Sequence, residues 1–495
     1  VTKWVEESNR GKTFAKGLVD EFKQNNGSLT PKDMRASSFI KNEGYPIKEA
    51  DGVHTTKFWR IINSYSSISK AVYGPIFKVV EKLFFSDKNP LSRFFVKNVP
   101  VCDRAAHLEN LMGDDEVTVG DFTSFECAMR GDFAKVICYC FLRMMGPQCD
   151  PELRKMLSWH MLGVNKSHFR NGVEVEIEET LMSGAVWTSF GNCMLSFFLV
   201  SYLRLKTSHP DMDGQVLARL IGEFVGLFEG DDSVTKGGAY DEHLIRALGL
   251  ALKSKVHANC GLSEFCGICK PLGIQTMVTD PVRCLIHFYL HDISRVDAKE
   301  SKLLALLRAK ALSLYYQYRS CPVLSKFFFA ILKKTRSIRA DSSQLTYNRK
   351  LAFDEAAHNK FYLTEPIIDM RTRVFFSEQY DWTIDEQLAF EKDLDDVVAG
   401  RKMMQLPERL FRQYVDFAAK HVSFERERPY DPWNGKVLHN PEDFVGKGPF
   451  YLRELTHPLE YTAEARIMQK IPRAKFTKCE MLITPFHNDL EFFLV

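Results

Sequence analysis

Two stretches of the sequence place paired carboxylates directly behind a glycine. They are FEGDDSV, with Gly230, Asp231 and Asp232, and LMGDDEV, with Gly113, Asp114 and Asp115. Adjacent carboxylates suit hard Mg²⁺, which takes one or two of them together with water and substrate phosphates. The triplet alone carries little weight, since at average residue usage about one chain in ten of this length contains one by chance. The flanks separate the two. In GEFVGLFEGDDSVTKGG an apolar run, Phe224 to Phe228, leads through the turn into Ser233-Val234-Thr235. That reads as a hairpin with the carboxylates at its tip, on a packed scaffold able to hold ligand geometry. In ENLMGDDEVTVG three acids, Asp114, Asp115 and Glu116, adjoin with no apolar run before them, which reads as a solvated loop. A further ligand, Asp121, follows the short strand Val117-Thr118-Val119, and Glu126 comes five residues later. With that strand paired beside the hairpin, Asp121 is expected to face Asp231 across the sheet. Two ions about 3.5–4 Å apart on such carboxylates clamp the attacking and leaving oxygens of an in-line phosphoryl transfer.

The surrounding elements must position these acids. Residues 1–35 read as helix and loop, and SSFIKNEGYPIKEADGVHTTKFWRIINSYS alternates strand-like runs with Gly/Pro turns. AVYGPIFKVVEKLFF reads as a buried helix, and FECAMRGDFAKVICYCFLRMMG has helical periodicity up to Gly146-Pro147. VEVEIEETLMSG reads as a strand entering a turn. WTSFGNCMLSFFLVSYLRL is a long helix, apolar on most faces and therefore buried. Beyond about residue 275 helix dominates: KESKLLALLRAKALSLYYQYRS reads as one amphipathic helix, and a capping box from Thr383 to Glu386 opens another. The Pro/Gly-rich, aromatic stretch 430–451 reads as loop. The last 220 or so residues thus form a mostly helical unit after a mixed α/β one.

At 495 residues the chain suggests two or three subdomains. The net charge of +3 is unevenly spread, with 17 Lys+Arg against 10 Asp+Glu over residues 1–100. That suits a polyanion path over part of the surface, or simply a solvated basic face. The twelve cysteines are scattered, with no disulfide framework and no signal peptide, which points to a reducing compartment. No apolar run approaches the roughly 20 residues that span a bilayer. The chain opens on valine, so it reads as processed or as part of a longer product, and any membrane anchor would lie outside it.

A third motif extends the acidic pattern. LMSGAVWTSFGN has Ser183-Gly184 in a loop, Thr188 five residues on, and Asn192 nine residues on in the following helix. The order and spacing of DFTSFE, SGAVWTSFGN and GDD resemble the palm of viral RNA-dependent RNA polymerases. Upstream, FIKNEGY and KFWRII resemble the fingers motif of that family, with Lys41, Glu43 and Arg60 in its pattern. Downstream, LGLALKSK and EFCG resemble its last two palm motifs. The positive-strand polymerases of the tombusvirus-, nodavirus- and flavivirus-like groups are the most similar. The resemblance covers about residues 35–275. It implies an α+β right-hand fold: N-terminal fingers over 1–100, a palm with an antiparallel sheet and an inserted fingers segment over 101–275, and a mostly helical thumb over 276–495.

The resemblance also implies roles. Asp121 and Asp231 ligate two Mg²⁺ (or Mn²⁺) ions, with Asp232 auxiliary. Glu126, which stands where many relatives have Asp, bonds the ribose 2′-hydroxyl or orients Asn192; the alternative is a structural salt bridge. Asn192 and Ser183 complete ribose recognition, and Thr188 supports them unless its hydroxyl only bonds back to nearby backbone. Arg60 and Lys41 grip the triphosphate, with Lys48 and Arg35 as weaker candidates. Lys253 or Lys255 is the general acid for pyrophosphate, and spacing does not choose between them. His257, Cys260, Cys266 and Cys269 have separations compatible with zinc, but a β-turn at EFCG holds Cys266 away from the others. Lys333, Lys334, Arg336 and Arg339 either follow the product backbone or complement a helix dipole. Tyr430, Trp433, Phe450 and Tyr451 either stack on a first nucleotide or pack on their own domain.

The expected activity is copying of an RNA template from ribonucleoside triphosphates, for viral genome replication and transcription, with other viral replication proteins as possible partners. The expected location is the host cytoplasm, at membrane-associated replication complexes reached through segments outside this chain or through partners. A reverse transcriptase is one rival, although polar Glu126 and Asn192 argue against a gate that excludes a 2′-hydroxyl. A non-catalytic RNA-binding scaffold is the other, against which stand the intact Asp121, Asp231 and Asp232.

Overall fold

The computed structural model describes residues 12–401, apart from 26–28, 31, 42–43, 51–52, 57–59, 102, 170–171, 275, 290–299, 344, 346 and 360–362; beyond these it describes 421–423, 430–431 and 436–437. The chain divides into two units. One comprises Val1–Phe39, Ile61–Val99 and Asp103–Leu272; the other comprises Ile40–Arg60, Pro100–Cys102 and Gly273–Val495.

The first unit is α+β and is built around a four-stranded sheet. Its order is Leu252–His257, Val117–Phe122, Asp232–Lys236, Gly226–Glu229, with every neighbour antiparallel. Apolar side chains are buried on both of its faces. Strand alternation sends Phe228 and Phe122 to one side and Leu227, Val117 and Val234 to the other. The first set joins an aromatic core with Phe95, Phe197 and Phe224, and the second joins Leu108, Met112, Cys260 and Phe265. The helix Thr188–Ser208 carries buried residues on nearly every side, as its sequence requires, and packs against the hairpin strands.

The helix Ser67–Phe84 starts where the Ser66 hydroxyl accepts the Ser69 amide at 3.1 Å, and it contains Pro75. The stretch expected to be helical from Phe125 is instead broken. A short 3₁₀ turn, Phe125–Cys127, is separated from the helix Asp132–Met144 by Gly131 at φ +55°, a backbone conformation that ends a right-handed helix.

The described part of the second unit contains the helices Pro281–Tyr289, Glu300–Gln317, Leu324–Lys334, Tyr347–His358, Met370–Tyr380 and Ile384–Val398. It also holds a three-stranded sheet of Gly44–Ala50, Val53–Thr56 and His421–Ser423. Glu300–Gln317 differs from the amphipathic helix expected. Two other helices, Leu324–Lys334 and Tyr347–His358, pack on it, so most of its residues are buried, Lys310 included. The Lys310 ammonium donates to the Phe288 carbonyl at 2.8 Å, which makes that burial tolerable. The capping box at Thr383 and Glu386 is present. Within 430–451, Tyr430–Asp431 pairs with Lys436–Val437, whereas Trp433, Phe450 and Tyr451 lie outside the described residues. Among the described residues no helix is long and apolar enough to cross a membrane.

Candidate active site

The hairpin closes on two residues, Gly230 and Asp231, with Gly230 at φ +66°. A positive φ at the first central position gives a turn whose twist matches the flanking strands. This tight turn also corrects the expected register. Asp232 already belongs to the second strand, so Asp121 lies opposite Asp232, and Asp231 projects from the turn beyond that pair. Directly opposed residues of antiparallel strands share a face. One row therefore crosses all four strands: Glu229, Asp232, Asp121, Lys253.

The electrostatics of this row are those of crowded anions. Burial, then the charges of Asp231 and Asp121, push the Asp232 carboxyl up to about 6, against a counteracting hydrogen bond with the Cys266 thiol. Burial, with the Glu229 and Asp232 charges beside it, holds the Cys266 thiol well above its usual range. Among the described residues no three His, Cys, Asp or Glu side chains converge closely enough to hold one ion, this trio included. The donors are nevertheless hard oxygens at one end of the sheet, and the repulsion registered by Asp232 is what a divalent cation relieves. The residues fit Mg²⁺ or Mn²⁺ in chemistry.

Close backbone approach shapes the strand that carries Asp121. A Cβ on Gly120 would come within 2.7 Å of the Ser233 hydroxyl, which itself donates to the Gly120 carbonyl. After Asp121 the chain turns sharply, with the Thr123 amide bonded to the Ala251 carbonyl at 2.8 Å and Ser124 left-handed at φ 54°, ψ 51°. That turn sets Glu126, half-buried, on the 3₁₀ segment Phe125–Cys127. Leu181 donates to Met129 at 2.9 Å and Gly131 to Glu179 at 3.0 Å, tying this turn to the segment leading into Ser183. A Cβ on Gly191 would lie 3.4 Å from the Met129 side chain, so the same turn packs beside Asn192. Asn192 is 7% exposed, and its buried side-chain oxygen has no hydrogen-bond partner among the described residues. The next residue, Cys193, accepts the Gly230 amide at 3.2 Å, which fixes the helix against the hairpin tip.

Ser183 and Thr188 are placed differently. The Ser183 carbonyl accepts the Asn63 amide at 2.7 Å, and Gly184 (φ +98°) has no room for a Cβ against the Asn63 carbonyl. The Thr188 hydroxyl donates to the Met182 and Ala185 carbonyls at 3.0 and 2.9 Å, the local backbone bonding named as its alternative, and so fixes the Ser183 loop. Lys253 and Lys255 share a face of the edge strand, but only Lys253 is level with Asp121; Lys255 is opposite Val119.

The remaining candidates fall on other segments of the chain. Lys41 and Arg60 belong to the second unit, where the Lys41 amide bonds the Arg60 carbonyl at 2.8 Å. Glu43 and the Lys48 side chain lie outside the described residues, and Arg35 opens the strand Arg35–Ile40. Lys333, Lys334, Arg336 and Arg339 are exposed at and just beyond the end of the helix Leu324–Lys334. The cysteines considered for zinc have other partners. Cys260 donates to the Gly113 carbonyl at 3.3 Å, while Cys266 sits at positive φ in the turn joining Glu264–Phe265 to Ile268–Cys269, its thiol on Asp232.

Two groups beside the carboxylates escaped the sequence. Glu229 was readable, because a two-residue turn necessarily opposes Glu229 and Asp232. Its partner Arg104, at 2.8 Å, stands 125 residues away in the chain and has no local signal.

No protein-family model matches the chain, and no curated protein matches it. Among solved structures it is similar to an insertion-loop deletion mutant of the RNA-dependent RNA polymerase of a human picorbirnavirus. The TM-score is 0.42 and the identity 12%, over 67% of this chain and 68% of that one. A likeness at this level does not fix a common fold, so the chemistry must come from the site's own residues.

Proposed function

We propose that this chain is an RNA-directed RNA polymerase of a positive-strand RNA virus, a nucleotidyltransferase of right-hand architecture. The four-stranded sheet is its palm, fingers precede and interrupt it, and the helices beyond residue 275 form the thumb. One observation carries the reading: Asp121 and Asp232 form a cross-strand pair beside a hairpin turn that presents Asp231. When bound there, two Mg²⁺ or Mn²⁺ ions supply activation of a 3′-hydroxyl and neutralisation of the departing pyrophosphate. Asp121, Asp231 and Asp232 would hold them.

Asn192, with its orphaned buried oxygen, and Glu126 bind the ribose 2′-hydroxyl; a polar group built for that partner rejects the sugar lacking it. Ser183 contributes to the same recognition, and Thr188 keeps its loop in place. Lys253, level with Asp121, is the proton donor to pyrophosphate, in preference to Lys255. Lys41 and Arg60 grip the triphosphate. RNA template and product are held by backbone and shape, since base pairing supplies the sequence. The enzyme works in the host cytoplasm at membrane-associated replication complexes, with other viral replication proteins.

The test is incorporation on RNA templates of defined sequence, with one labelled nucleotide at a time. Incorporation dictated by the template base, for ribonucleotides and at least about a hundredfold weaker for deoxynucleotides, supports this reading. Preference for deoxynucleotides would make the enzyme a reverse transcriptase. RNA binding without incorporation under either metal would leave a scaffold.

A further inference from the structure

A second four-stranded sheet has a polar inner face. Its order is Ile61–Tyr65, Arg35–Ile40, Asn165–Phe169, Glu174–Ile177. Among the described residues its buried side chains are Ala36, Ser38, Asn63, Tyr65, Asn165 and Ser167. They stand two apart along each strand, so each pair shares a face, and all but Ala36 carry a hydroxyl or an amide. A covered sheet face is ordinarily apolar, because a buried polar group must recover the hydrogen bonds it gave up to water.

Here those bonds are recovered, and they converge on one loop. The Ser38 and Ser167 hydroxyls donate to Asn63 Oδ1 at 2.6 and 3.1 Å. The Tyr65 hydroxyl donates to Asn165 Oδ1, and Asn165 Nδ2 donates to the Thr180 carbonyl at 3.1 Å. The Asn63 amide donates to the Ser183 carbonyl at 2.7 Å, and the Asn63 carbonyl lies 2.6 Å from where a Cβ on Gly184 would stand. One strand thus holds segment 180–184 at both ends, through Asn63 directly and through Tyr65 by way of Asn165. Thr188 opens the helix that carries Asn192 and holds the same segment by its bonds to the Met182 and Ala185 carbonyls. Such hydrogen bonds add little net stability over well-packed apolar side chains. What a satisfied buried network supplies is a single arrangement.

We infer that Asn63 and Tyr65 are positioning residues that set the Ser183–Gly184 loop, and through it the selection of ribose over deoxyribose. The inference rests on the ribose recognition by Ser183 and Asn192 proposed above. A site built to bond a hydroxyl discriminates only if its polar groups are held where that hydroxyl arrives, and a displacement of about 1 Å costs up to about a hundredfold. A loop free to shift still admits either sugar but no longer meets the 2′-hydroxyl, so the loss falls on ribonucleotides.

The test compares kcat/KM for ribonucleotides and deoxynucleotides on one RNA template, with hydrogen exchange over residues 180–188 measured on the same full-length proteins. Ser38→Ala/Asn63→Leu/Ser167→Ala removes the side-chain donors and their acceptor together, which spares stability. It is expected to exchange faster over 180–188 and to lose about tenfold in discrimination. That loss comes through kcat/KM for ribonucleotides, with the value for deoxynucleotides within about twofold of wild type. Should this variant not fold, Tyr65→Phe carries the test. It deletes one oxygen, keeps the ring, and is expected to lower discrimination about threefold, as the loss of one neutral hydrogen bond would. Equal losses for both sugars, or unchanged discrimination in the folded variants, overturn the inference. Asn192→Ala is assayed beside them. If it loses discrimination while the sheet variants match wild type, only the inference falls. If it discriminates as wild type does, or if wild type incorporates neither sugar, the reading proposed above falls and the inference with it.

Discussion

Gly113-Asp114-Asp115 and Gly230-Asp231-Asp232 are the same three residues in two surroundings. The first triplet follows a helix. Gly113 is the C-cap of Arg104–Met112 at φ 60°, ψ −146°, and the acids after it are exposed. Asp115 is ion-paired with Lys236, so its charge already has a partner within the protein. The second triplet is the turn of a hairpin whose strands are buried on both sides, and Asp232 has Asp231, Asp121 and Glu229 as neighbours. What makes carboxylates a site is a rigid scaffold that crowds them together. Their local sequence is the same in both places.

The comparison breaks most readily at Asp231. Asp231→Ala is expected to lower ribonucleotide incorporation by about 10³-fold or more, as loss of a metal ligand at the reacting centre does, whereas Asp114→Ala stays within about twofold. Equal losses in a steady-state assay would erase the distinction.

The two glycines sharpen it. Gly113 occupies backbone open to essentially no other residue, with nothing within 4 Å of a would-be Cβ, so Gly113→Ala costs about 1–3 kcal/mol of stability and leaves turnover of the folded enzyme alone. Gly230→Ala, at φ +66°, costs about 1–2 kcal/mol and also displaces Asp231, so that activity falls further than stability. Denaturant midpoints measured beside incorporation rates separate the two outcomes.

Protonation separates the triplets next. The folded Asp232 pKa of about 6 lies above its unfolded value, so the folded state holds the proton more tightly, and stability falls as pH rises from about 4 to about 6. Asp232→Asn removes that cost. It is expected to stabilise the metal-free protein by about 1–2 kcal/mol at pH 7 and by nothing near pH 4, and Mg²⁺ narrows the gap by stabilising wild type alone. Urea titrations at the two pH values give the difference. Asp115→Ala, breaking an exposed pair with Lys236, is the smallest effect, at most about 1 kcal/mol and independent of metal.

Much of this contrast was legible before any coordinates. The apolar run into FEGDDSV implied a packed hairpin, and the missing run before LMGDDEV implied an exposed loop. The register was misjudged by one residue, because the identity of the turn residues is not settled until Gly230 is known to take positive φ. The Phe125 helix and the amphipathic Glu300 helix failed for a shared reason, since a glycine's φ and the partners packed on a helix are set by the rest of the chain. Arg104 was invisible because its partner is 125 residues distant. Choosing Lys253 over Lys255 needed the strand register.

The central claim is that Asp121, Asp231 and Asp232 are the ligands of the catalytic ions, and iron-mediated backbone cleavage tests it directly. Fe²⁺ placed in a Mg²⁺ site and supplied with hydrogen peroxide and ascorbate generates hydroxyl radicals that cut the nearest chain segments, and mass spectrometry maps the cuts. Cuts clustered around residues 121 and 230–232, suppressed by added Mg²⁺ and absent in Asp231→Ala, are the expected result. Cuts confined to the neighbourhood of residues 113–116, or cuts at 230–232 that Mg²⁺ does not suppress, would contradict it.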